Sequence, residues 1–215
     1  VSATAGGMFF STGPPQFISE TIIPGTFDTI PVSGVQGFLQ RGDIDSVCIN
    51  INHTFDGDFF VTLISPQGTQ FDLSSNNGGG GDNYTNTCFK MSAVTPITAG
   101  AAPFTGAFIP EGAGGFDTFN GENGNGNWIL WIDDNVGGDS GNLLDWNITF
   151  APFNPPVAWT SIPVGLNDTN YTVGVAPTTT TAYIVTISDT TNGCSRNYLD
   201  TVIVNPLPVV FAGVD

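Results

Sequence analysis

Asp133, Asp134, Asn135, Asp139 and Asn142 put five oxygen-bearing side chains within ten residues, on a stretch that also carries Gly137, Gly138 and Gly141. Asp56 and Asp58 flank Gly57, and Asp82 and Asn83 follow four consecutive glycines, Gly78 to Gly81. Carboxylates, amides and carbonyls brought close by glycine are the donors a calcium ion takes, roughly six to eight at a time. Calcium ligation is therefore expected from Asp56, Asp58, Asp82, Asp133, Asp134, Asn135 and Asp139. Composition leans the same way, because 16 of the 19 acidic residues are Asp, a skew that suits loops and hard cations better than helix faces. The bland alternative is that these residues cap turns and pair with backbone amides, while a net charge of −16 keeps secreted chains apart without any metal. Both readings stand at this point.

Other chemistry is poorly served. His53 is the one histidine, and no Asp and Ser accompany it in a triad context, so catalysis of the serine-protease kind is not expected; a structural bond to a neighbouring loop is. The carboxylate pairs Asp56/Asp58 and Asp133/Asp134 sit beside Gly and Asn, the company of turns rather than of an acid with a raised pKa. No Gly-rich run precedes a helix, which removes phosphate cradling. Three basic residues, Arg41, Lys90 and Arg196, cannot displace the counterions of a nucleic acid or hold an anionic membrane. No run of about 18 apolar residues exists to span a bilayer. The start, VSATAGGMFF, lacks a basic n-region and an apolar h-region, as expected of mature or excised material. Four Trp raise the question of sugar stacking; Trp128 and Trp146 share the parity of their apolar neighbours, as core residues do, whereas Trp131 lies on the opposite parity beside Ile129. Three Cys read most simply as one pair and one orphan.

The elements that position these residues are strands. With 28 Gly, 15 Pro and 17 Phe, and few helix formers, the chain is expected to be all-β. In DSVCININHT, Val47, Ile49 and Ile51 alternate with Cys48, Asn50 and Asn52, a strand with one buried face. Asp56-Gly57 signals a turn and Phe59 to Ile64 reads as a run buried on both sides, so the two strands are expected to form a hairpin. NWILWIDD and LLDWNITF are two further strands on either side of the Asp-rich loop. Pro152, Pro155 and Pro156 mark a linker, which places a domain boundary near residue 153. The following segment is Thr-rich, with about four strands, fewer than the seven of an immunoglobulin-type sandwich.

From about Ile30 to Phe150 the chain resembles the proprotein convertase P domain, also called the P/homo B domain, in its secreted bacterial form. DSVCININHT, DGDFFVTLISPQGT, GGGGDNYTNTCF, APFTGAFIP, NGENGNGNWILWIDD and GGDSGNLLDWNITF carry the resemblance, in family order. It implies a jelly-roll-like β-sandwich of about eight strands, a Cys48–Cys88 disulfide and hence an oxidising compartment. It also implies calcium in acidic loops, although Phe89-Lys90-Met91 stands where relatives often have two Asp after the Phe. The second segment, through Trp159, TTTTAYIVTISD, Asn192-Gly193-Cys194 and Asp200-Thr201-Val202, resembles immunoglobulin-like or PKD-like repeats of Bacteroidota surface proteins.

The expected layout is an N-terminal arm or linker over 1–29, a β-sandwich over 30–152, a partial immunoglobulin-like module over 153–207, and over 208–215 a linker or the start of a further repeat. Triplets of Asp, Ser or Thr and a third residue resemble the O-glycosylation signal of Bacteroidota at Thr29, Ser46, Thr190 and Thr201. The function these resemblances imply is a non-catalytic structural or adhesive part of a large cell-surface protein, exported by the type IX route and used in attachment or gliding. Its partners would be neighbouring domains, surface glycans or the secretion machinery. The alternatives are an accessory region of a secreted subtilisin-like protease and a carbohydrate-binding module.

Overall fold

The computed structural model describes residues 6–35, 37–152, 156–170, 172–188 and 195–205. The chain divides into two compact units that part between residues 153 and 154. Among the described residues there is no α-helix.

The first unit is a two-layer β-sandwich of ten strands: β1 (Gly7–Phe10), β2 (Gln16–Ile18), β3 (Thr26–Val32), β4 (Ile44–His53), β5 (Phe59–Ile64), β6 (Gln70–Ser75), β7 (Tyr84–Phe89), β8 (Phe104–Phe108), β9 (Gly126–Asp134) and β10 (Gly141–Phe150). One sheet runs β1-β10-β4-β7-β8, with β2 also on β10; the other runs β3-β9-β5-β6. Period-two alternation decides what lies between them. Val47, Ile49 and Ile51 of β4 and Trp146, Ile148 and Phe150 of β10 are buried, as are Val61 and Leu63 of β5 and Trp128, Leu130 and Ile132 of β9. Edge-on aromatic contacts fill this core, with Trp128 against Phe119 at 5.1 Å and against Phe150 at 5.8 Å. The buried indole N–H groups are satisfied: Trp146 donates to the Asp28 carboxylate at 2.9 Å and Trp128 to the Gly124 carbonyl at 2.9 Å. Cys48 and Cys88 lie opposite each other on β4 and β7 and form the disulfide.

Three expectations are corrected. Residues 7–29 add edge strands to the sandwich rather than forming an arm or linker: β1 and β2 share one edge of β10, and β3 pairs with β9. Pro14-Pro15 and Pro24-Gly25 cut this stretch into pieces too short to display a period. Second, β4 and β5 do not form a hairpin. The corner at residues 54–58, tightened by a 3-10 turn at Asp56–Asp58, carries the chain from one sheet to the other. β5 instead pairs with β6 and β9. Third, β5 is not buried on both faces: Phe59, Val61 and Leu63 point inward, while Phe60, Thr62 and Ile64 are half-buried on the outside.

In the second unit the described residues form one antiparallel sheet, ordered β12-β11-β13-β14, from β11 (Val157–Ile162), β12 (Asn167–Asp168), β13 (Thr181–Ser188) and β14 (Ser195–Val202). Val157, Tyr183 and Val185 are buried on one face. Trp159 is anchored by its indole N–H, which donates to the Asn170 carbonyl at 2.9 Å.

Candidate functional site

The sheet-changing corner after β4, the glycine loop between β6 and β7, and the crossover between β9 and β10 all lie at one end of the sandwich. Backbone pairing holds them there: Gly141 pairs with His53, Phe59 pairs with Asp134, and the Asn135 N–H donates to the Asp58 carbonyl at 3.2 Å. Gly141 has to be glycine, because a methyl group there would collide with the Asn52 carbonyl. All seven expected calcium ligands are at this end, but they do not converge. Among the described residues no three Asp, Glu, His or Cys side chains stand close enough to hold one ion together.

One group surrounds His53. Its side chain is wholly buried, and Nε2 lies 3.4 Å from Oδ2 of the equally buried Asp134. Nδ1 is within 3.2 Å of the Phe55 N–H and 3.1 Å of the Phe55 carbonyl, and the ring packs at 4.8 Å against Phe59. With Nδ1 accepting from the Phe55 N–H, the Nε2 N–H is the one that faces Asp134. The other Asp134 oxygen accepts from the Val136 N–H at 3.3 Å. Burial pushes the Asp134 carboxyl above its ordinary value, opposed by the Val136 amide and by His53. Asp139 accepts from the Thr54 hydroxyl at 2.9 Å. Asn135 is exposed, and Asp133 points outward from β9 opposite Phe60. In this crossover Asp134 and Asp139 already accept hydrogen bonds from His53, Val136 and Thr54.

The second group surrounds Asp56. The glycine loop folds over it: the Asp56 N–H donates to the Gly81 carbonyl and the Gly57 N–H to the Gly79 carbonyl, both at 2.9 Å. Gly78 packs so closely that a Cβ there would lie 2.9 Å from Asp56 Cβ. Asp56 is 0% exposed. Its Oδ1 accepts from the Asn83 N–H at 3.0 Å, while Oδ2 has no hydrogen-bond partner. Burial first, and then the charge of Asp82, raise its pKa to about 7, against the pull of the Asn83 amide. Composition had flagged Asp56 as one acid among several; only the Gly78–Gly81 run beside it hinted that it would be enclosed.

Elsewhere, Lys90 pairs with Asp45 at 3.3 Å. Ser46 is 5% exposed inside β4, so it is corrected as an acceptor of O-glycosylation in the folded unit; Thr29 and Thr201 are exposed, and Thr190 lies outside the described residues. Trp131 faces outward and is half-buried, its ring parallel within 9° to that of Phe27 and its indole N–H bonded to the Pro24 carbonyl at 2.7 Å.

Residues 45–150 match the proprotein convertase P-domain. The P-domain match takes in β4 to β10 apart from the first residue of β4, while β1 to β3 and the second unit lie outside it. Leupeptin-inactivating enzyme 1 of Streptomyces exfoliatus is 31% identical over 121 residues, which is 56% of this chain and 21% of that protein. The chain thus spans about a fifth of that relative's length. Two solved structures of the Aeromonas sobria serine protease are similar at 16% identity. In complex with its chaperone the TM-score is 0.44 over 71% of this chain and 27% of that one. For the protease without the chaperone it is 0.42, over 69% and 26%.

Proposed function

We propose that the chain is a non-catalytic accessory region of a larger exported bacterial protein, with a structural or adhesive role at the cell surface. The observation that carries this is the enclosure of His53: both ring nitrogens are engaged by Phe55 and Asp134, and none of the side chain reaches solvent. A general base has to reach its substrate. The disulfide supports an oxidising compartment outside the cytoplasm. The resemblance of the second segment to Bacteroidota surface repeats supports attachment or gliding, with export by the type IX route. A second reading, an accessory region of a secreted protease, is favoured by the P-domain match and by the similarity to leupeptin-inactivating enzyme 1.

Deleting the segment from its parent protein separates the two. Cells should lose attachment under flow while secreted peptidase activity stays unchanged. Loss of peptidase activity with attachment intact would transfer the proposal to the protease reading.

Calcium belongs to the proposal in a narrower form than the sequence suggested. Asp56, with an uncommitted buried oxygen, fits one ligand position, and Asp82, Asn83 and the loop carbonyls are the donors beside it. Bound there, the ion would supply the charge that Asp56 otherwise lacks. At pH 8, adding calcium should raise the melting temperature of the chelator-treated protein by several degrees, because a ligand of the native state alone stabilises it. In Asp56→Asn the response should vanish; a response equal to wild type, or none in the wild type, removes the site.

A further inference from the structure

We propose that a second copy of this chain docks along the outer edge of β14, forming an antiparallel strand pair centred on Tyr198. β14 is the last strand of its sheet, bonded to β13 on one side. Among the described residues nothing pairs with its other side, and every one of its residues is exposed. A free row of N–H and C=O groups is a template for another strand. Proteins usually blunt such an edge with proline, lysine or a bulge. SRNYLDTV contains no proline and no lysine, and it runs beside β13 without a register shift.

The strand's own sequence selects the occupant. Arg196 and Asp200 lie on one face, with Tyr198 midway between them. Arg196 rests over the Tyr198 ring at 5.3 Å. The ion pairs among the described residues are Arg41 with Asp117, His53 with Asp134 and Lys90 with Asp45, so Arg196 takes no carboxylate there. When Tyr198 stands opposite Tyr198 of a second copy, each Arg196 stands directly opposite an Asp200, and directly opposed residues share a face. The contact is self-complementary, as a two-fold interface requires. Sliding the register by two residues either way breaks both charge pairs.

Apolar surface adjoins the same face. Trp159, Tyr183, Val185, Tyr198 and Val202 help to line an open cavity of about 260 Å³. A second Tyr198 would extend this surface. A single strand pair is a small interface, so a dissociation constant on the order of 10–100 μM is expected.

The test uses the full chain carrying Cys194→Ser, followed by sedimentation across a concentration series. A reversible dimer is expected. Arg196→Asp and Asp200→Arg should each weaken it by about tenfold, and the double exchange should restore it. On oxidation, Tyr198→Cys should cross-link two chains, whereas Leu199→Cys, which would face Asn197, should not. Circular dichroism and melting temperature check that each variant folds. A monomer at every concentration overturns the proposal, including one whose edge is taken by another segment of its own chain. So does a dimer indifferent to the charge changes, a double exchange that fails to restore pairing, or equal cross-linking at both positions.

Discussion

Chelator-treated protein should melt about 5–10 °C higher at pH 5 than at pH 8. The cause is Asp56, whose pKa rises from 3.8 to about 7 on burial. Between those values the folded chain holds a proton that the unfolded chain has released, so stability rises as pH falls. The gain begins as pH drops through about 7 and is complete near 4. The full displacement corresponds to roughly 4 kcal/mol, of which about 2.5 kcal/mol falls between pH 8 and pH 5. For a chain of this length each kcal/mol moves the melting temperature by about 2–4 °C. Burial shifts Asp43 and Asp134 in the same direction, which adds to the slope. Asp56→Asn should flatten the profile, because the amide keeps an acceptor for the Asn83 N–H and carries no charge to bury. The measurement is thermal melting at fixed ionic strength across this range. A flat wild-type profile, or an unchanged slope in Asp56→Asn, would show that Asp56 is not the source.

Reducing the Cys48–Cys88 bridge should cost about 4 kcal/mol. The two cysteines are 40 residues apart, and the segment they enclose contains β5, β6 and the glycine loop. Opening a loop of that length restores chain entropy to the unfolded state of roughly this magnitude at 25 °C. Because Cys48 and Cys88 already face each other across β4 and β7, a Cys48→Ser/Cys88→Ser variant should keep its sheet pairing and lose stability without refolding differently. Denaturant unfolding should show a lower midpoint and a somewhat steeper slope, because the unfolded chain without the bridge is less compact and exposes more surface. A loss under about 1 kcal/mol would mean that the unfolded chain already holds these strands close. The shift should come from the first unit, since both cysteines lie in it.

The faces of strands with an alternating pattern were legible because alternation is local, whereas the unbroken apolar run Phe59 to Ile64 hid its outer face. Val47, Ile49 and Ile51 are buried where the period puts them, and Trp131 faces out where Trp128 faces in. The partners of those strands were not legible. A turn signal at Asp56-Gly57 says that the chain changes direction, but not whether it returns to the same sheet or crosses to the other. The candidate site suffered in the same way. Nothing near Asp134 or Asp139 in sequence announces His53 or Thr54, which occupy their carboxylates from 81 and 85 residues earlier in the chain. Asp56 looks like any turn acid until a glycine loop more than twenty residues later closes over it. The N-terminal strands could not be told from an arm for the opposite reason. Their pattern is too short to read, and the open edges of β9 and β10 hold them in place.

The pairing of β1 with β10 sets Gly7 against Phe150 and Phe10 against Asn147. The first strand thus waits for the last of its own unit, and the core strand β10 is the final piece of the sandwich to be synthesised. Contacts this distant along the chain make folding slow, on the order of milliseconds to seconds. Until residue 150 has emerged, β4 has one open edge and Trp128 lacks its Phe150 neighbour. The sandwich therefore cannot close, nor β1 find its edge, until its last strand has been made.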